Sequence, residues 1–280
     1  MANQNYATDV LDKIDERFYL ESLTNPIVNN GIEMEFSNGN NAVTLYDVDV
    51  VPENNYQRSG LMRYGQIVEL GNGVQTKILS QDKSFAISID RGNREDSKMV
   101  PAIDDAVKRQ VREVSVPTTD IYRLSVLTAY AIANSQTATN ALAYNDVFQK
   151  ILIQRAALIE AKVPLGRMVL YVTPTVETYL WRDPEFKSAC DTSVADKKTG
   201  VLGAVMGMRV VVAPASYFVA NFGFMIVADN ILAAPTKFNE IKTGDGFPFG
   251  ISGMVAFGRR YYDAFVLKNK GPAIRVHMIA

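Results

Sequence analysis

Asn41-Ala-Val-Thr-Leu-Tyr-Asp-Val-Asp-Val-Val51 and Ser84-Phe-Ala-Ile-Ser-Ile-Asp90 are the stretches whose reading decides the fold. Both alternate with a period close to two, the pattern of strands with one protected face. Pro52-Glu-Asn-Asn55 and Gly71-Asn-Gly73 are turn clusters between them. The intervening positions include Tyr56, Gln57, Arg58, Arg63, Gln66, Gln75, Lys77, Gln81, Asp82 and Lys83, too polar for a sheet packed on both faces. Residues 40–95 therefore read as a long β-ribbon without a core of its own. An isolated ribbon is marginal in water. A long one needs outside support, and a second copy of the same chain is the natural source. The pattern points to assembly more than to chemistry.

Composition narrows the alternatives. The chain has 280 residues, enough for one large domain or two smaller ones, and 48% are hydrophobic, a globular value. Net charge is -1, with no basic stripe of the kind that tight nucleic-acid binding requires. The single cysteine, Cys190, precludes an intrachain disulfide and suits a reducing cytoplasm. The start Met1-Ala-Asn-Gln-Asn-Tyr6 lacks the blocks of a signal peptide. No apolar run reaches the ~18 residues that a membrane span needs.

Outward from the ribbon, residues 1–36 read as an arm: Asp9 to Leu23 has helical spacing, stopped by Thr24-Asn25-Pro26. After the ribbon, Ile103, Ala106, Val107, Val111 and Val114 form a helical stripe opposite Asp104, Asp105, Lys108, Arg109, Arg112 and Glu113. Pro117 is expected to end this helix, and Thr118-Thr-Asp120 to cap a second from Ile121 to Ala133. Asn134 to Asn140 reads as a polar loop, and Tyr144 to Ala161 as a third helix. Arg167 to Thr173, Met208 to Ala213 and Phe224 to Ala228 read as buried strands. Pro174 opens a helix from Thr175 to Leu180. Phe238 to Gly253 reads as a crossing segment, and Gly258 to Lys268 and Ala273 to Ile279 as two strands joined by Asn269-Lys-Gly-Pro272.

In this order of elements the chain resembles the major capsid proteins of tailed bacteriophages, with their Hong Kong 97 type shell fold. Three segments carry the resemblance: Val111-Arg-Glu-Val-Ser-Val-Pro-Thr-Thr-Asp-Ile-Tyr-Arg123, like the link after the family's spine helix; Lys162-Val-Pro-Leu-Gly-Arg-Met-Val-Leu-Tyr-Val-Thr-Pro174 with Tyr179-Leu180, like its axial strand-Pro-helix unit; and Gly203-Ala-Val-Met-Gly-Met-Arg-Val-Val-Val-Ala-Pro214, like its glycine-turn-strand segment. The match runs in order over nearly the whole chain. It implies an α+β fold with an N-terminal arm (1–36), an E-loop ribbon (37–97), a peripheral domain (98–139 and 246–280) and an axial domain (140–245). It also implies a structural, non-enzymatic role: self-assembly as pentamers and hexamers into the icosahedral head enclosing phage DNA.

The implied partners are further copies of the chain, a portal, possible cement proteins and DNA touched only non-specifically, with no membrane and no cofactor. The protein would be assembled in the host bacterial cytoplasm and reside in the virion. Since the chain reaches the arm directly from Met1, a separate scaffolding protein is expected, or none. Candidate intersubunit contacts on the E-loop are Tyr56, Arg58, Arg63, Lys77 and Lys83; candidate spine and peripheral contacts are Arg109, Arg112, Asp120 and Arg123. Lys77, Lys83 and Asn269 match no motif for the lysine–asparagine cross-link of some relatives. The alternatives are an encapsulin-type compartment shell and, in another class, an α/β enzyme or small-molecule binder.

Catalytic and metal constellations are not indicated. Cys190 and His277 lack the third orienting group of a nucleophilic pair, and one His with one Cys does not make a usual zinc site. Asp104-Asp105 and Glu95-Asp96 read as the solvated acidic start of the spine helix. Gly71-Asn-Gly73 and Gly244-Asp-Gly246 lack a following Gly-Lys-Ser/Thr and read as turns. Arg259-Arg260-Tyr261-Tyr262 reads as alternating strand packing.

Overall fold

The structure, a computed structural model, describes residues 22–29, 31–32, 34–36, 42–48, 51, 53–69, 72–96, 103–189, 203–246 and 250–280. Most of the expected arm helix, and Cys190, lie outside these residues. A 3-10 turn at Asn25–Ile27 comes first, followed by β1 (Met34–Phe36). β2 (Ala42–Val48) and β3 (Asn72–Ile78) form an antiparallel hairpin from Ala42↔Ile78 to Val48↔Asn72, with β1 on the outer edge of β2.

β4 (Gln81–Asp90) does not continue the ribbon. It leaves β3 across Leu79 and Ser80 and joins a different sheet. The ribbon is therefore shorter than expected. It also has a small core at its base, where Val43, Leu45 and Leu79 are buried with Ala233 and Tyr261.

α1 (Arg91–Asp96) precedes the long helix. α2 (Ile103–Gln110), a π-helical turn (Val111–Ser115) and α3 (Val116–Ala133) run on continuously. Pro117 thus does not end the helix. A proline inside a helix removes one N–H and crowds the carbonyl one turn back. The wider turn relieves this: Val116 N–H bonds Val111 O, five residues away. Thr118 and Thr119 do not cap a new helix. Their hydroxyls donate back to Val114 O (2.7 Å) and Ser115 O (2.9 Å), a local bonding habit of threonine.

β5 (Thr137–Thr139) replaces the expected loop, pairing parallel with a strand near the C-terminus. α4 (Val147–Glu160), β6 (Met168–Val172) and α5 (Pro174–Arg182) follow as read from their patterns. Thr173 caps α5 by accepting from Val176 N–H. α6 (Pro184–Ala189) was not anticipated, although Asp183-Pro184-Glu185 is a helix-start signal: Asp183 accepts from the N–H groups of Glu185 and Phe186. β7 (Ala204–Val205), β8 (Met208–Val212), β9 (Phe222–Ala228) and β10 (Leu232–Ala233) come next.

β11 (Thr236–Asp245) overturns the reading of residues 238–253 as a crossing segment, and it places Gly244 and Asp245 in a strand rather than a turn. It is an edge strand exposed along nearly its whole length, so it carries no alternation to read. β12 (Gly253–Tyr262), β13 (Phe265–Val266), a 3-10 stretch (Lys268–Ala273) and β14 (Ile274–Met278) complete the chain.

Two sheets organise the body. The larger has the order β5-β14-β9-β6-β8-β7, with β5/β14 and β6/β8 parallel. Every residue of β6 and β9 is buried, which explains their unbroken apolar runs. Leu124 and Leu127 of α3, Phe148 and Ile151 of α4, and Val176 and Leu180 of α5 share its core. Each such side chain contributes about 1.5–3 kcal/mol on burial. The sheet combines strands from residues 140–245 with β5 and β14, which lie outside that range.

The smaller sheet has the order β11-β12-β4, fully antiparallel. Phe85, Ile87 and Ile89 of β4 and Ala256 of β12 pack against Ile103, Val107 and Val111 of the long helix. The alternate residues Ser84, Ala86 and Ser88 are exposed on the other face. Gly258 admits the Phe85 ring: a Cβ there would lie 2.2 Å from it.

Candidate assembly surface

The loop carried by β2 and β3 is the most exposed apolar region among the described residues. Leu61 is 95% exposed, Ile67 93% and Tyr64 84%, with Tyr56, Met62 and Val68 also exposed. Its internal order is local: Gln57 N–H bonds Arg63 O, Arg63 Nε bonds Gly60 O, and the Tyr56 and Tyr64 rings meet edge-on at 5.0 Å. Gly60 and Gly65 take positive φ, 95° and 83°, as tight turns require. Monomeric proteins seldom leave a contiguous group of large apolar side chains in water. The sequence reading weighed the polar residues here and passed over Leu61, Met62, Ile67 and Val68. Their clustering between two turn-rich stretches was the available signal.

The base of this loop and the start of the described chain are both pinned to the long helix. Asp120, buried in α3, accepts from Ser22 Oγ (2.9 Å), Leu23 N–H (2.8 Å) and Thr24 Oγ1 (2.5 Å). Arg123, one turn on, donates to Thr24 Oγ1 (2.9 Å), and Tyr171 of β6 donates to Leu23 O (2.9 Å). Burial pulls the Arg123 pKa down, and the Asp120 charge partly restores it. Burial likewise pushes the Tyr171 hydroxyl far up, reinforced by Asp120. Arg260 of β12 donates through one nitrogen to Ser115 O and Thr119 Oγ1, closing the helix onto the small sheet. Ser22, Thr119, Asp120, Arg123 and Arg260 line a recess of about 330 Å³.

A second buried carboxylate lies beside it. Asp263, after β12, accepts from Tyr122 Oη (2.6 Å), Ser80 N–H (2.7 Å) and Ala264 N–H (2.7 Å). Tyr261 Oη donates to Leu79 O (3.2 Å). Burial, and then the Asp263 bond, raise the Tyr122 pKa.

The nine residues selected from sequence thus divide. Tyr56, Arg58 and Arg63 lie on the exposed loop, Lys77 on β3, and Lys83 on β4 opposite Arg260. Lys83 therefore belongs to the small sheet rather than to the ribbon. Arg109 pairs with Glu113 on the helix (3.2 Å), and Arg112 lies on the π turn. Asp120 and Arg123 make contacts within the chain, to residues 22–24. Thr24, Tyr122, Tyr171 and Asp263 were not selected, because their partners lie about a hundred or more residues away in sequence.

His277 is buried in β14. Its Nε2 meets Asn140 O at 3.0 Å and its ring stacks on Phe224 at 5.0 Å. Burial lowers its pKa. Among the described residues no three His, Cys, Asp or Glu side chains form a metal-binding group, and no helix is long and apolar enough to cross a membrane.

No family profile matches the chain, and no curated protein matches it. Solved structures do. A chain of Mycobacterium phage Che8 aligns over 99% of this chain and 98% of its own, with a TM-score of 0.68 at 14% identity. The capsid of cyanophage P-SCSP1u gives 0.68 at 10% identity, covering 99% of this chain and 93% of that one. The fold is of the Hong Kong 97 capsid type. The mature capsid of bacteriophage PhiM1 agrees, with a TM-score of 0.65 at 12% identity over 100% of this chain and 92% of that one. The exposed hairpin loop lies within residues 37–97, the stretch expected to be an E-loop, and the helix from Ile103 to Ala133 lies where a spine helix is expected.

Proposed function

We propose that this chain is the major head protein of a tailed phage, a structural component that assembles as pentamers and hexamers into an icosahedral shell around DNA. The carrying observation is the exposed E-loop tip, with Leu61 at 95% and Ile67 at 93% exposure, presented on a capsid fold. A second copy is the natural cover for such a tip, and many modest interfaces of this kind suffice to close a shell. Scaffolding, portal and cement proteins are the implied partners, with assembly in the host cytoplasm. Tyr56, Arg58, Arg63 and Lys77 are proposed to contact a neighbouring copy, as are Lys83, Arg109 and Arg112 at the periphery. In this reading residues 98–139 and 246–280 form the peripheral domain and residues 140–245 the axial domain.

The test is expression of the chain, alone and with its genomic neighbours, followed by negative-stain electron microscopy. Closed thin-walled particles, tubes or hexameric sheets are expected. A uniform small oligomer in every condition would overturn the proposal. Deleting residues 56–68 is expected to leave a folded subunit that makes no shells. A deletion reaching residue 83 would also remove buried Leu79 and the start of β4, and would test folding instead.

A further inference from the structure

The path from β3 to β4 is a two-residue elbow, Leu79–Ser80, at which the chain passes from the E-loop hairpin to the small sheet. The two residues are held differently. Leu79 is an apolar plug, buried with Val43, Leu45, Ala233 and Tyr261. Such contacts resist withdrawal but are non-directional. Ser80 is held by a directional bond, its N–H donating to the Asp263 carboxylate at 2.7 Å.

Asp263 is only 3% exposed, and its other donors come from two more elements. Tyr122 Oη reaches it from α3 at 2.6 Å, and Ala264 N–H from the corner between β12 and β13 at 2.7 Å. The Ser80 hydroxyl also meets Tyr122 Oη at 3.2 Å. One buried carboxylate therefore joins the loop's root, the spine helix and the small sheet. Bonds to a charged acceptor are the strong kind, and a carboxylate is retained in a buried place only when such bonds offset its desolvation.

We propose that Asp263 is an elbow pin: it sets the angle at which the E-loop leaves the body, and thereby the angle at which one copy can be joined to the next. The first half stands on geometry alone, and the second rests on the proposed shell. With the pin removed, the Leu79 plug keeps the hairpin attached while the angle is released. The subunit then stays folded but no longer specifies one curvature.

The test uses the full chain with Asp263→Asn and, as a milder change, Tyr122→Phe. An amide presents one acceptor oxygen and one NH2, so at least one of the three donors loses its acceptor; Tyr122→Phe deletes one donor only. Hydrogen exchange is measured on free subunits. Amides of residues 72–80 in Asp263→Asn are expected to exchange ~10-fold or more faster, with a smaller effect in Tyr122→Phe, while β6 and β9 stay as in the unmodified chain. Unchanged exchange at 72–80, or equal acceleration in β6 and β9, would overturn the pin.

Particle diameters by electron microscopy then test the consequence. Asp263→Asn is expected to broaden the distribution or yield tubes. A single unmodified diameter, alongside faster exchange at 72–80, would overturn the curvature role while leaving the pin. If the unmodified chain makes no particles even with its genomic neighbours, the shell reading fails, and the exchange result still decides the pin.

Discussion

Asp120 offers the sharpest test of how the chain holds its own N-terminal segment. Its carboxylate takes three donors from consecutive residues 22, 23 and 24, at 2.9, 2.8 and 2.5 Å. Asp120→Asn keeps the shape but removes the charge. The amide oxygen can turn to Leu23 N–H, which can only donate, and the NH2 can turn to the Ser22 and Thr24 hydroxyls, which can also accept. Three charge-assisted bonds then become neutral ones, each weaker by about 1 kcal/mol, so the substitution is expected to cost about 2–3 kcal/mol. Asp120→Ala leaves Leu23 N–H and the Thr24 hydroxyl without this acceptor, Ser22 Oγ with only Asn25 Oδ1 at 3.1 Å, and Arg123 without the charge that offsets its burial, and should cost about 3–5 kcal/mol.

Urea unfolding followed by Trp181 fluorescence measures both, and thermal melts should fall by about 2–4 °C per kcal/mol in a chain of this size. Thr24→Ala, combined with Asp120→Asn in a double-mutant cycle, should show a coupling of about 1 kcal/mol. If Asp120→Ala costs less than about 1 kcal/mol, the clamp does not hold the segment and the reasoning fails. Equal costs for Asn and Ala would refute the account of the charge.

Other perturbations probe separate parts of the molecule. His277 has a folded pKa below its ordinary value, so its protonation opposes folding. Stability should be unaffected by this residue above about pH 6.5 and fall as pH drops below it, by at most about 1.4 kcal/mol per pH unit until the folded form also titrates. His277→Gln should remove that part of the pH dependence in urea titrations at pH 7.5 and 5.5. Gly258→Ala drives a methyl into the Phe85 ring and should destabilise by about 1–3 kcal/mol, measured by the same melts. Leu170→Ala, in the fully buried β6, should cost about 2–5 kcal/mol. The exposed Asp82–Arg259 pair, at 2.6 Å, should show no measurable effect on the melting temperature when Asp82 is changed to Asn, because solvent screens it.

What was legible in the sequence follows from periodicity. The buried runs of β6, β8 and β9, the alternation of β2 and β4, and the apolar stripe of α2 each report a local environment that repeats along the chain. Their order also carries the resemblance to the Hong Kong 97 type shell fold. The misreadings cluster where local rules compete with tertiary ones. Pro117 reads as a stop because an ordinary helical turn cannot hold it; the π turn and packing against the small sheet make the continuous helix possible. β5 and β11 read as loop because sheet edges need no alternating apolar face.

The partners of the polar clamps were beyond sequence reasoning: Asp120 stood out only as a candidate contact between copies, and Asp263 not at all. What makes them structural is that the fold brings Leu23 N–H and Ser80 N–H to within 2.8 and 2.7 Å of them across 97 and 183 residues. Hydrophobic burial depends on how much apolar surface a segment carries, and the segment's own sequence states that. A hydrogen bond to a buried carboxylate depends on direction and distance between groups far apart in the chain, and only the folded backbone sets those.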